Sequence, residues 1–213
     1  MQAIDRHAIE TVGIPRLLLM EHAGLAIARA ARSLLPQITL PIAVCCGMGF
    51  NGGDGLSAAR HLHQWGYTLE VLLAGKAKNL REEPAIYANI LHQLGLKISE
   101  FETAKTLSGL EDKLSGCGLV IDGLLGIGSK GKVREPVASL INRLNALGKP
   151  ILAVDIPSGL DADSGSVQGT AIKAAMTVAF GRIKQGCVKG EGAAHSGRIV
   201  VDSITLPPSL LNS

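Results

Sequence analysis

The sequence is short of aromatic residues, which make up 3% of its 213 residues. Hydrophobic residues nevertheless account for 46% of the chain, so the core must be built mainly from aliphatic side chains. A chain of this length can bury a sizeable core as one large domain. No internal repeat, low-complexity tract or linker interrupts it, and we therefore predict a single domain over residues 1–213.

The chain also lacks a large excess of charge of either sign. Its formal net charge of +3 at pH 7 is too small to favour nucleic acid or an anionic membrane as a partner. No apolar run is long enough to span a bilayer. Residues 1–10 have neither the apolar core of a signal peptide nor an Arg/Ser-rich transit pattern. These absences predict a cytoplasmic protein that binds neither nucleic acid nor membrane.

Cysteine is scarce, with four residues in the chain, and none of them forms a CxxC pair. Cys45, Cys46 and Cys117 lie in or beside apolar runs, and Cys187 follows later in the chain. This usage is typical of reduced thiols in the core of a cytosolic protein, not of a disulfide framework or a zinc site.

Apolar segments of two kinds alternate along the chain. Short runs predict strands, and longer periodic segments predict helices. The predicted strands cover residues 41–47, 68–75, 119–126, 150–159, 174–180 and 197–204. The predicted helices cover residues 16–35, 54–66, 80–95, 107–116 and 136–148. Because most strands are apolar on both faces, we expect a Rossmann-like, doubly wound α/β fold: a mostly parallel sheet with helices on both faces, in three α/β/α layers.

The segment "GMGFNGGDG", residues 47–55, follows the first predicted strand. Glycine tolerates positive φ and close approach of a ligand, and such loops often bind phosphate through backbone N–H groups. The segment satisfies GxGxxG, but Glu70 lies too early in the second strand to hold a ribose, and the Lys-Ser/Thr ending of a P-loop is missing. Neither hydride transfer nor phosphoryl transfer is supported. We expect Asp54 to cap the following helix.

Polar residues follow three of the predicted strands. Asn51 lies after the first, Asp122 ends "LVID", and Asp155 ends "LAVD", with Ser158 close behind. Ligands of open α/β sheets bind at the carboxyl ends of strands, and oxygen ligands of this kind suit alkali or alkaline-earth ions. The alternative is that these residues only cap helices or set turns.

A second glycine-containing segment, "GIGSKGK", covers residues 126–132. Lys130 and Lys132 within it suit the charge of a phosphate. Together with the first segment, it suggests a nucleotide held beside a hard cation.

Several long motifs identify a family resemblance. They are "AIDRHAIETVGIPRLLLMEHAG", "GMGFNGGDG", "IDGLLGIG", "VREPV", "VDIPSGLDADSG" and "FGRIKQG". Over nearly its whole length the chain resembles the YjeF N-terminal domain family of NAD(P)HX epimerases. The resemblance implies an isomerase that interconverts the R and S epimers of NADHX and NADPHX at C6, in nicotinamide nucleotide repair. It also implies a homodimer, and a dehydratase, fused or separate, that repairs the S epimer.

The resemblance implies roles for particular residues. Asn51, Asp122 and Ser158 correspond to ligands of a potassium ion. Asp155 and the two glycine segments correspond to substrate contacts, namely Phe50, Asn51, Gly52, Gly53, Asp54, Gly126, Ile127, Gly128, Ser129, Lys130, Gly131 and Lys132. Two positions depart from the family pattern, because Phe50 replaces an asparagine and Ile127 replaces a threonine.

Epimerisation at a carbon that bears OH and a ring nitrogen needs no redox change. The hydroxyl can leave as water, pushed by the nitrogen lone pair, and water can return from the other face. A carboxyl group can give and take the proton, so Asp155 is the candidate catalytic acid/base; the alternatives are a cation ligand or a turn former. Lys184, in "FGRIKQG", suits contact with a phosphate or carboxamide, or else is solvated.

Two other functions fit the same pattern of strands and helices. One is a non-catalytic scaffold, because the fold also occurs in an mRNA-decapping enhancer. The other is an NAD-dependent dehydrogenase, which the missing ribose acid disfavours. The joint presence of Asn51, Asp122, Asp155 and Ser158 favours the epimerase over the scaffold.

Overall fold

The computed structural model describes residues 2–211, and its centre is one sheet of seven parallel strands in the order β3-β2-β1-β4-β5-β6-β7. The strands are β1 Ile42–Cys46, β2 Leu69–Ala74, β3 Ile98–Phe101, β4 Leu119–Gly123, β5 Ile151–Val154, β6 Met176–Phe180 and β7 Arg198–Asp202. The helices are α1 Gln2–Glu10, α2 Arg16–Leu34, α3 Phe50–Gln64, α4 Glu82–Gln93, α5 Ala104–Ser108, α6 Glu111–Ser115, α7 Val137–Ala146, α8 Gln185–Val188, α9 Gly192–His195 and α10 Pro208–Leu211, with a 3₁₀ turn at Ala77–Asn79.

Alternate residues of the strands enter two separate hydrophobic clusters. In β1, Val44 and Cys46 face the cluster that contains the buried sides of α2, α3 and α4. Ala43 and Cys45 face the cluster that contains α5, α6 and α7. Every β1 residue is fully buried, as expected for a parallel sheet covered on both faces. The predicted three-layer, doubly wound α/β fold is therefore confirmed, and the sheet within residues 2–211 is parallel throughout.

The direction of winding reverses between β1 and β4. The chain runs outward from β1 through β2 to β3, then returns to pair β4 with the other side of β1 and continues to β7. In open α/β sheets, ligands bind beside such a reversal, at the carboxyl ends of the strands. The fold thus brings the segments after β1, β4 and β5 to one side of the sheet.

Several helices and strands differ from their predictions. The helix predicted over residues 54–66 begins four residues earlier, at Phe50. The helix predicted over 107–116 is two short helices, α5 and α6. The strand β3 was not predicted, because Ser99 and Glu100 interrupt its apolar pattern. Within the described residues, no helix combines the length and apolarity needed to cross a bilayer.

Candidate active site

A cavity of about 910 Å³ lies at the carboxyl ends of the strands, beside the reversal between β1 and β4. Its floor comes from residues that directly follow β1, β4 and β5, and its outer wall comes from α1 and the start of α2. The lining residues are Asp5, Arg6, Ile9, Glu10, Arg16, Leu19, Met20, Ala23, Met48, Gly49, Phe50, Asn51, Asp54, Leu124, Leu125, Gly126, Ile127, Gly128, Ser129, Asp155, Phe180, Lys184 and Ile204. Apolar walls with a few convergent polar groups are typical of small-molecule sites.

The glycines between β1 and α3 permit close packing. None of the five in residues 47–55 has positive φ, so a left-handed backbone does not explain the glycines here. A Cβ on Gly47 would lie 1.9 Å from the carbonyl oxygen of Leu124, and a Cβ on Gly52 would lie 1.9 Å from the carbonyl oxygen of Gly47. The absence of side chains lets the start of α3 lie directly against the segment after β4.

Asp54 does not cap α3, because the helix begins at Phe50 and its N-cap residue is Gly49. The Asp54 carboxyl instead lines the cavity from the second turn of the helix. Among residues 2–211 it has no hydrogen-bond partner. Burial raises its pKa well above the usual range, and the negative charges of Asp155 and Asp5 raise it further, while Lys184 opposes the shift.

Asp122 and Ser158 meet beneath the cavity, although 36 residues separate them. The Ser158 hydroxyl donates to Asp122 Oδ1 at 2.6 Å, and the Ser158 backbone N–H donates to Oδ2 at 2.8 Å. Both residues have no exposed surface. Burial raises the pKa of Asp122 to about 6, and hydrogen bonds from Ser158 and the Leu124 N–H act in the opposite direction.

Asn51 joins Ser158 through the backbone of Leu125. The Asn51 amide donates to the Leu125 carbonyl at 3.0 Å, and the Ser158 hydroxyl lies 3.2 Å from the same oxygen. A Cβ on Gly126 would lie 3.2 Å from the Asn51 Cβ, so this glycine holds the backbone against Asn51. Asn51 and Ser158 therefore both contact the Leu125 backbone, and Asp122 joins them through its hydrogen bonds with Ser158.

The chemistry of this group of residues fits a hard monovalent cation. It combines amide, hydroxyl, backbone carbonyl and carboxylate oxygens, which are the ligands that such ions prefer. No ion pair among the described residues includes Asp122, so a bound cation would compensate a buried carboxylate.

Asp155 follows β5 directly and has φ = 66°, a left-handed backbone that non-glycine residues seldom adopt. Its backbone N–H donates to the Val178 carbonyl at 2.8 Å, and its Oδ1 accepts the Phe180 N–H at 2.9 Å. Both contacts fix the residue against β6. Within the described residues Oδ2 has no hydrogen bond, which leaves this oxygen available to an occupant of the cavity.

Lys184 forms an ion pair with Asp155 Oδ1 and donates to the Phe180 carbonyl at 2.9 Å. Its side chain is 5% exposed. Of the two alternatives for Lys184, the solvated side chain was therefore wrong. A buried ammonium in contact with a carboxyl group holds that group in one position.

The lining of the cavity includes Phe50, a residue that is 47% exposed. The Arg16 guanidinium lies 4.6 Å from the centroid of its ring, a cation–π contact. Of the second glycine segment, Gly126, Ile127, Gly128 and Ser129 line the cavity. Lys130 and Lys132 are exposed and do not line it.

Four further residues predicted as substrate contacts or considered for ribose binding lie elsewhere. Gly52, Gly53 and Gly131 do not line the cavity, and the first two lie in the packed start of α3. Glu70, in β2, accepts a hydrogen bond from Lys113 at 2.7 Å, so it holds α6 and is not directed at a ribose.

The sequence analysis missed the residues that form the outer wall of the cavity. Asp5, Arg6 and Glu10 belong to α1, which was not predicted as a helix. Asp5 lies close enough to Asp155 and Lys184 for both to influence its carboxyl group: burial raises its pKa, Asp155 raises it further, and Lys184 lowers it. The motif "AIDRHAIE" was the available signal, because it carries these residues within the family resemblance.

The chain is similar to known proteins over most of its length. Residues 16–186 match the family model described as YjeF-related protein N-terminus. The chain is 36% identical to the NAD(P)H-hydrate epimerase of Limosilactobacillus fermentum over 201 residues, covering 94% of this chain and 92% of that protein. It is 40% identical to the bifunctional NAD(P)H-hydrate repair enzyme Nnr of Pyrobaculum aerophilum over 210 residues, covering 98% of this chain and 41% of that protein.

Among solved structures, the yeast protein YNL200c has the same fold. Its crystal structure superposes with a TM-score of 0.86 at 24% identity, covering 99% of this chain and 89% of that chain. The chain thus spans less than half the length of its bifunctional relatives but most of the length of the shorter ones. On the family model and these relatives, the chain belongs to the YjeF-related protein N-terminus family.

Proposed function

We propose that this protein is an NAD(P)H-hydrate epimerase, which interconverts the R and S epimers of NADHX and NADPHX at C6. The observation that carries the proposal is the position of Asp155: a strand-end carboxyl, held by Lys184 and Phe180, in a cavity large enough for a nucleotide. Relatives that match over nearly their whole length are named for this activity.

The reaction requires that C6 lose and regain water. Loss of the hydroxyl gives a cation shared between C6 and the ring nitrogen, and water returns to either face. The Asp155 carboxylate suits both proton transfer and stabilisation of this cation. Apolar residues of the cavity wall, among them Leu19, Met20 and Phe180, limit access of bulk water.

We also propose a potassium site at Asn51, Asp122 and Ser158. A potassium ion there would neutralise the buried Asp122 carboxylate and fix the segment after β4 from below. The proposed substrate contacts are the residues of the two glycine segments that line the cavity, namely Phe50, Asn51, Asp54 and residues 126–129. The cytoplasmic location, predicted from the sequence composition, and the homodimer, implied by the resemblance, stay predictions.

The test is to convert R-NADHX in the presence of an S-specific dehydratase. We expect the protein to accelerate loss of the R epimer above the spontaneous rate, more in potassium than in choline chloride. Asp122→Asn should lose both the activity and the dependence on potassium, because the buried anion that attracts the ion is removed.

The non-catalytic scaffold predicts a different result. A scaffold would leave the R epimer at its spontaneous rate of conversion in every salt, even if the nucleotide bound. The dehydratase that consumes the S epimer is proposed as a partner, since the bifunctional relatives are more than twice as long as the matched region.

A further inference from the structure

The cavity contains two carboxyl groups that the proposed function does not use. Asp5 and Asp54 line it together with Asp155 and Lys184. Lys184 is ion-paired with Asp155, whereas neither Asp5 nor Asp54 has an ion-pair partner among the described residues. One buried ammonium therefore faces three carboxyl groups.

Asp54 and Asp155 approach the cavity from different parts of the sheet. Asp54 projects from α3, which follows β1, and Asp155 follows β5; β4 lies between these two strands. An occupant seated over β4 therefore has one carboxyl group on each side.

The surroundings of the two groups differ. Asp155 has the ammonium of Lys184 and a backbone N–H on its Oδ1. Asp54 has neither, and burial together with the charges of Asp155 and Asp5 favours its neutral form. The Cys46 thiol lies nearby. The other charged groups that line the cavity are Arg6, Glu10 and Arg16.

We propose that Asp54 is a second catalytic residue of the epimerase, acting as a neutral acid opposite the Asp155 carboxylate. The proposal rests on the proposed function. It follows from the chemistry, because the cation formed at C6 is planar and a single carboxyl group reaches only one of its faces. Two carboxyl groups in different environments are typical of acid–base sites.

The proposed reaction exchanges one water for another at C6. The Asp54 carboxyl gives its proton to the C6 hydroxyl as the C–O bond breaks, and water departs with the bonding electrons. The lone pair of the ring nitrogen forms the C=N bond. A second water adds to C6 from the other side, Asp155 takes its proton, and the C=N electron pair returns to nitrogen. Solvent restores both carboxyl groups, and the reverse reaction exchanges their roles.

The experiment measures epimerisation of R-NADHX from pH 5 to pH 10 for the wild type and three variants. The wild-type rate should fall as the pH rises through the pKa of Asp54, because the acid is then ionised. Asp54→Asn should lower the rate at neutral pH by about 100-fold or more and remove this alkaline decline. Asp163→Asn, which alters an exposed carboxyl, should match the wild type.

Asp5→Asn provides a second and independent readout. Because the Asp5 charge raises the pKa of Asp54, its removal should move the alkaline decline to lower pH without abolishing it. Loss of the decline in Asp5→Asn, together with its retention in Asp54→Asn, would assign the donor to Asp5 and overturn the proposal.

Oxygen-18 water tests the step itself. Solvent oxygen should enter the C6 hydroxyl once for each epimerisation, whereas retention of the substrate oxygen would exclude loss and return of water.

A wild type with no activity above the spontaneous rate would refute the epimerase function. Activity in the wild type with an unchanged Asp54→Asn would refute only the role of Asp54. NADP affinity, expected to change less than about tenfold, verifies that each variant is folded.

Discussion

At the scale of single residues, Lys184 differs most from its expected environment. A lone lysine in a sequence is usually solvated, and no local pattern relates Lys184 to Asp155, which lies 29 residues away. The two meet because the segment after β6 returns to the end of β5. Asp122 and Ser158 were easier to predict, because Asp122 lies near the end of β4, Ser158 comes shortly after β5, and these apolar strands neighbour each other in the sheet.

The ion pair between Lys184 and Asp155 should contribute measurably to stability. Lys184→Met leaves a buried carboxylate without its cation, and we expect a loss of about 3–5 kcal/mol in the free energy of unfolding, as for other buried pairs that lose one partner. The double variant Lys184→Met/Asp155→Asn should recover part of this loss, because no buried charge remains unpaired.

Urea unfolding measures both quantities. Lys189→Met serves as the matched control, since Lys189 is exposed and its ammonium bonds only Gln185 among the residues that the structure describes; its effect should stay below about 1 kcal/mol. A Lys184→Met variant as stable as this control would mean that the ammonium is solvated, as the sequence alone suggested.

At the scale of elements, sequence periodicity located six of the seven strands and most long helices. It failed at the start of α3, where the glycines that disfavour a helix are in fact helical. Glycine costs about 1 kcal/mol relative to alanine in a helix. The close approach of α3 to the backbone of Gly47 outweighs that cost, and no local pattern in the sequence can reveal such tertiary packing.

Gly52→Ala tests this account of the junction. Helix propensity alone predicts a gain of about 1 kcal/mol, but the new Cβ would lie 1.9 Å from a backbone oxygen that cannot rotate away. We expect the clash to dominate, with a net loss of about 2 kcal/mol or more. Thermal unfolding followed by circular dichroism gives the sign directly.

Gly49→Ala is the control for this substitution. Gly49 lies just before α3, and a Cβ there would have no atom within 4 Å, so its effect should remain within about 1 kcal/mol. A stabilised Gly52→Ala would show that propensity governs the start of α3 and that the packing is adjustable.

At the scale of the whole molecule, residues 2–211 form three hydrophobic clusters. Two cover opposite faces of the sheet. A third, smaller cluster contains Ile156, Leu160, Ala171 and Cys187 and lies beside the cavity segment after β5. Composition predicts a large aliphatic core but cannot divide it in this way, because the division depends on which residues of each strand face which helices.

Each cluster contains at least one buried free cysteine: Cys46 in the first, Cys45 and Cys117 in the second, and Cys187 in the third. Because burial hides all four thiols, they should resist alkylation in the native protein. If residues 1–213 form a single cooperative domain, all four should become reactive at one denaturant concentration. Pulsed alkylation with peptide mass spectrometry measures each thiol separately, and the fluorescence of Trp65 supplies an independent midpoint. Labelling of Cys187 at a lower concentration than the other three would show that the third cluster opens on its own, and the prediction of one cooperative domain would then be wrong.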